Sequence, residues 1–111
     1  MNCFRCIFCN NRYRSMEKND ITMEELKRMQ SQGAIIIDVR SPQEYAEGHI
    51  EGAIVIPEYE LKIRAKEIIK DKSQLIVVYC PRGFRSKKAQ RILKYMGYEN
   101  VYNLYKGLEN Y

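Results

Sequence analysis

Residues 74–80, QLIVVYC, constrain the chain more than any other stretch. A compact β-branched run bounded by polar residues is the pattern of a strand covered on both faces. The run does not stop at a turn signal. It ends on a thiol, followed within five positions by Pro81, Arg82, Gly83, Phe84 and Arg85. Two further runs, 34–38 (AIIID) and 53–57 (AIVIP), read as buried strands, and 101–104 (VYNL) as a short last one. Between them lie helical signals. Thr22 and Glu25 form a capping box ahead of Leu26 and Met29, with a stop at Gly33. Ser41 and Glu44 form a second box, with Pro42 at the first helical position. Leu61, Ala65, Ile68 and Ile69 share one helical face, as do Ala89, Ile92, Leu93 and Met96 before Gly97. Alternating strands and helices predict an α/β domain with a mostly parallel sheet of about four to five strands and helices on both faces.

The chain has 111 residues, room for one core. Residues 1–19 show no periodicity and are expected to be a tail outside a domain spanning 20–111. No apolar run reaches the roughly 18 residues that a bilayer demands. The first residues are too interrupted by Arg5 for a secretory signal, so a cytoplasmic location is expected. Cys3, Cys6 and Cys9 overlap as two C-x-x-C pairs. A closed zinc site wants four ligands and no fourth lies nearby, so neither a metal nor a disulfide framework is expected.

The net charge of +5 favours anionic partners. Six basic residues and no acid fall between positions 82 and 94. Lys88, Arg91 and Lys94 read as a solvated helix face. Arg82 and Arg85 flank a thiol, which points to a role there. The nine tyrosines are scattered and not interleaved with arginines, so no nucleic-acid surface is expected.

In open α/β sheets, ligands bind beyond the carboxyl ends of the strands, where Cys80 stands. Gly83 permits the loop to turn sharply, so that its amides point inward as an anion nest at a helix N-terminus starting near Ser86. Such surroundings ease ionisation of a thiol, and the thiolate is the nucleophile. Pro81 removes one possible donor.

With those residues in view, the chain resembles single-domain rhodaneses, a family of sulfurtransferases, over residues 20–111. The stretch 38–57 carries Asp38-Val39-Arg40, Glu44-Tyr45, Gly48-His49-Ile50, Gly52-Ala53 and Ile56-Pro57, similar to the first rhodanese signature. Cys80, Gly83, Arg85 and Ser86 fall on the positions of the family's active-site loop. One feature departs: the stretch from Leu104 to Tyr111 carries one glycine, Gly107, and a tyrosine where rhodanese domains commonly carry two glycines and then a tryptophan.

The resemblance implies an enzyme that moves a sulfane sulfur from a donor such as thiosulfate to cyanide or a thiol through a Cys80 persulfide. Arg85 and Arg82 would bind the anionic donor, Gly83 and Ser86 would form the cradle, and Phe84 would shape the rim. Asp38 and Arg40 would order neighbouring loops, with Arg40 paired to a carboxylate such as Glu47, and His49 would be a turn residue. No cofactor, nucleic acid or membrane is implied; a sulfur-relay protein is a further partner that the resemblance allows. The alternative is a persulfide carrier loaded by a partner protein. A phosphatase or arsenate reductase is disfavoured, since phosphatases with a cysteine cradle place arginine six positions after the cysteine and Arg85 lies five after Cys80.

Overall fold

Side-chain alternation along the central strands divides the core in two. The computed structural model describes residues 15–111. Its elements are β1 (Asp20–Ile21), α1 (Met23–Ser31), β2 (Ile35–Asp38), α2 (Pro42–Ala46), β3 (Ile54–Val55), α3 (Leu61–Ile68), β4 (Leu75–Tyr79), α4 (Phe84–Tyr95) and β5 (Asn100–Leu104). Single 3-10 turns occupy Glu58–Glu60 and Leu108–Asn110. The strands form one parallel sheet in the order β1-β5-β4-β2-β3. β4 is central, pairing with β2 through Ile35↔Ile76 to Asp38↔Tyr79 and with β5 through Leu75↔Asn100 to Val78↔Asn103.

On one face Ile37, Val39, Ile76, Val78, Cys80 and Val101 pack with Leu61 and Ala65 of α3 and Ala89 and Leu93 of α4. On the other, Ile21, Ile36, Val77, Tyr79 and Leu104 pack with Leu26 of α1, Tyr45 of α2 and Leu108. Leu26, Leu61 and Leu93 are fully buried, each worth about 2–3 kcal/mol of apolar transfer. Both capping boxes form: Thr22 Oγ1 accepts from Glu25 N–H at 3.2 Å, and Ser41 Oγ from Glu44 N–H at 3.2 Å.

Three local expectations are corrected. The 53–57 run yields only a two-residue, half-buried β3, because it has one strand neighbour and Pro57 cannot extend the ladder. α4 starts at Phe84, two residues before the expected Ser86, since Gly83 at φ +91° already completes the turn. Ile68 is exposed, because α3 unwinds after it and Ile69 turns inward instead. β1 was not anticipated. Two residues carry no periodicity, and only pairing with Asn103 and Leu104 defines them. Cys3, Cys6, Cys9 and most of the expected tail lie outside the described residues. Among the described residues, no helix is long and apolar enough to cross a membrane.

Candidate active site

β4 ends at Tyr79, and Cys80 follows at the carboxyl edge of the sheet. Its side chain continues the inward alternation of Ile76 and Val78, so only 1% of the residue is exposed. The sulfur therefore lies at the floor of a pocket of about 270 Å³ lined by Cys80, Pro81, Arg82, Phe84 and Arg85. Two amides converge on it: Gly83 N–H donates to Sγ at 3.0 Å and Ser86 N–H at 3.2 Å. Ser86 is the third residue of α4, and Gly83, at the N-cap, has no side chain to accept that amide. The sulfur of Cys80 fills the role of a capping side chain at the positive end of the helix.

The loop is held from below by the C-terminal turn. Leu108 N–H donates to Cys80 O at 2.8 Å and Glu109 N–H to Pro81 O at 2.9 Å. This close approach requires glycine at 107. At φ +77°, a Cβ there would stand 2.5 Å from Arg82 N, Cys80 O and Pro81 C. Gly83 is similarly placed, with a Cβ 3.3 Å from Lys106 N.

The cationic rim is paired rather than open. Arg85 donates through Nη1 to Glu44 Oε1 at 3.1 Å and through Nη2 to Glu44 Oε2 at 3.0 Å. The guanidinium, helped by the Ser41 N–H, draws the Glu44 carboxyl down to about 2, and Glu44 in turn raises Arg85. Arg82 sits 3.5 Å from Glu109, and Lys88 sits 3.1 Å from Glu58. Phe84 lines the pocket and is 55% exposed.

Asp38 and Arg40 lie behind the loop. Arg40 Nε and Nη2 reach the Asp38 carboxylate at 2.9 and 2.7 Å, and Nη2 also donates to Gly48 O at 2.6 Å. The expected Arg40–Glu47 pair is replaced by this one, because Glu47 stands at the exposed end of α2 while Asp38 is buried beside Arg40. The bond to Asp38 raises Arg40 against the cost of burial. Tyr79 OH donates to Asp38 Oδ2 at 2.8 Å and accepts from Ile50 N–H at 3.0 Å; burial pushes its phenol up. His49 is exposed, stacked on Tyr45 with ring centroids 3.6 Å apart.

A family model, Rhodanese-like domain, matches residues 22–111. The chain belongs to that family. Thiosulfate sulfurtransferase PspE of Escherichia coli (strain K12) is 45% identical over 67 residues, 60% of this chain and 64% of PspE. A sulfurtransferase of Allochromatium vinosum is 36% identical over 92 residues, 81% of this chain and 84% of the relative. A tRNA uridine(34) hydroxylase of Erwinia tasmaniensis is 35% identical, but the match spans 70% of this chain and only 23% of that protein. Among solved structures, a rhodanese with anions from E. coli superposes with a TM-score of 0.65 at 39% identity, covering 71% of this chain and 92% of that one.

Behind Ser86, which the sequence places in the cradle, stand two residues of this rhodanese-like domain that no motif marks, Asn103 and Asp20, and a third, Gly107, seats the loop. Ser86 Oγ, besides accepting from Cys80 Sγ at 3.3 Å, donates in a short bond to Asn103 Oδ1. Asn103 Nδ2 donates to Asp20 Oδ1 at 3.1 Å. Ser86, Asn103 and Asp20 are all buried. The available signal was a polar residue inside the apolar 101–104 run. In the sequence Gly107 marks only the departure from the family pattern; its place beneath the loop needs the folded chain.

Proposed function

We propose that the domain transfers sulfane sulfur through Cys80. The observation that carries this reading is the pair of amides, from Gly83 and Ser86, aimed at one sulfur on the floor of a small pocket. The ionised sulfur attacks the outer sulfur of thiosulfate. The S–S bond of the donor breaks, sulfite leaves with the bonding electron pair, and Cys80 becomes a persulfide. Cyanide or a thiolate then attacks the outer sulfur, and Cys80 recovers its electron pair as thiolate. Arg85 and Arg82 attract the dianionic donor and stabilise charge on departing sulfite. For that, each is drawn from its carboxylate partner, Glu44 or Glu109. A loop with Arg85 only five positions after Cys80 suits one sulfur atom better than a phosphate, and the likeness to PspE points the same way.

Thiosulfate-dependent thiocyanate production, together with intact mass after donor exposure, tests this. The wild type gains one sulfur atom and Cys80→Ser gains none; sulfur on another residue would refute the assignment. A second reading, a carrier loaded by a partner protein, draws on the exposed Phe84 at the pocket mouth. It is distinguished by fast loading from a protein persulfide with poor thiosulfate turnover.

A further inference from the structure

The buried chain Asp20–Asn103–Ser86–Cys80 has a direction, and each link dictates the next. Asp20 accepts at both oxygens: Oδ2 from Glu17 N–H at 2.7 Å, and Oδ1 from Asn103 Nδ2 at 3.1 Å with Lys87 Nζ at 3.4 Å. A carboxylate so surrounded has no proton to offer, so the Asn103 amide must turn its Nδ2 toward it. Oδ1 of Asn103 then faces Ser86 and can only accept. The single hydroxyl proton of Ser86 is committed to that oxygen. What remains toward Cys80, 3.3 Å away, is a lone pair. It is matched by a thiol that donates and opposed by a thiolate that cannot.

We infer that Asn103 and Asp20 are positioning residues that set how readily Cys80 ionises, by holding the Ser86 hydroxyl as an acceptor. When Cys80 loses its proton through the pocket to solvent, the hydroxyl must turn over. The Ser86–Asn103 bond breaks and a Ser86 O–H bond to the anionic sulfur forms in its place. Asn103 Oδ1 is then left buried without a donor, a costly state. The two loop amides favour the anion, and this chain pulls against them. The inference rests on the nucleophilic role proposed for Cys80. The charged groups facing the site are Arg82 and Arg85 from the loop and α4, Glu44 from α2 and Glu109 from the C-terminal turn. Asp38 and Arg40 lie at the end of β2, and Lys87, Asp20 and Glu17 at the far end of the chain. Asn103→Leu leaves all of these charges in place.

The test is the pH profile of Cys80 alkylation by iodoacetamide on the full chain, followed by mass. In Asn103→Leu the hydroxyl is released to the sulfur, and the midpoint moves down by about one pH unit, the size of a hydrogen bond to a charged group. Asp20→Asn, which lets the Asn103 amide sit either way round, moves it in the same direction. In a Ser86→Ala background Asn103→Leu produces no shift, since it acts through that hydroxyl, and Asp20→Asn keeps only the smaller shift due to its lost negative charge. No shift or an upward one in Asn103→Leu, or an Asn103→Leu shift that persists without the hydroxyl, overturns the inference. Should Asn103→Leu fail to fold, as judged by circular dichroism, the Asp20→Asn shift with and without Ser86→Ala decides alone: a larger shift with the hydroxyl present supports the inference, and equal shifts overturn it. The readout follows the thiol and not sulfur transfer, so a wild type inactive toward thiosulfate leaves this test intact.

Discussion

Glu44 is where two needs meet on one side chain. It closes the capping box of α2 by accepting the Ser41 N–H at 3.0 Å, and it grips Arg85 with both oxygens. Glu44→Gln weakens both, and at a surface site about a third exposed the expected loss is about 1 kcal/mol. Its folded pKa, about 2, lies below the ordinary 4.5, so the charged form is favoured by folding. The stability it contributes is present above pH 4.5 and is lost as the pH falls toward 2. Urea midpoints of wild type and Glu44→Gln should differ by a constant amount above pH 5 and converge in acid. Gly107 is the second informative residue. Gly107→Ala places a methyl 2.5 Å from the backbone of the Cys80 loop at φ +77°. The loop must move, at a cost of about 2 kcal/mol or more in stability. Thiocyanate production should drop more than about tenfold, because the cradle amides turn with the loop.

At the scale of elements, β4 and α4 make the site, and the turns around them hold it. α4 buries Ala89 and Leu93 against the sheet while its first turn supplies Ser86 to the sulfur, so one helix both packs and binds. α3 is tied to the approach to β5 by Tyr98, a buried phenol that donates to Ile69 O at 2.6 Å and Ala65 O at 3.2 Å. Ile69 O lies past the unwinding end of α3, where no helical amide reaches it, whereas Ala65 O also accepts the Ile69 N–H at 2.8 Å. Tyr98→Phe leaves Ile69 O short of a donor, and thermal or urea unfolding should show a loss of about 1–2 kcal/mol. Activity per folded molecule should not change, since nothing in that contact reaches Cys80.

Over the whole molecule, charge and sheet order work together. The chain carries a net +5, and the basic residues at positions 82, 85 and 88 surround the pocket side of α4, each paired with an acid. On the proposed function, a dianionic donor would be drawn by that field and would then compete with the acids for the guanidinium groups. Between about 0.02 and 0.5 M salt the Debye length falls several-fold, so kcat/KM for thiosulfate should decline while kcat stays nearly constant. A salt-independent kcat/KM would mean that the rim pairs never open to the donor.

The layer architecture was legible in the chain because its causes are local. β-branched runs at 35–38 and 75–79, two capping boxes and helical stripes specify parallel strands between helices, whatever their order. The Cys80 loop was legible for the same reason: cysteine, glycine and arginine at fixed spacing dictate a tight turn into a helix. The strand order β1-β5-β4-β2-β3 was decided only in three dimensions, and with it the pairing of Asp20 beside Asn103, 83 positions apart. So were the Arg85–Glu44 and Arg40–Asp38 partnerships and the seat that Gly107 gives the loop. Periodicity records which face of an element is buried. It does not record which distant polar group will meet another there, and that is fixed only when the sheet closes and each buried donor must find an acceptor.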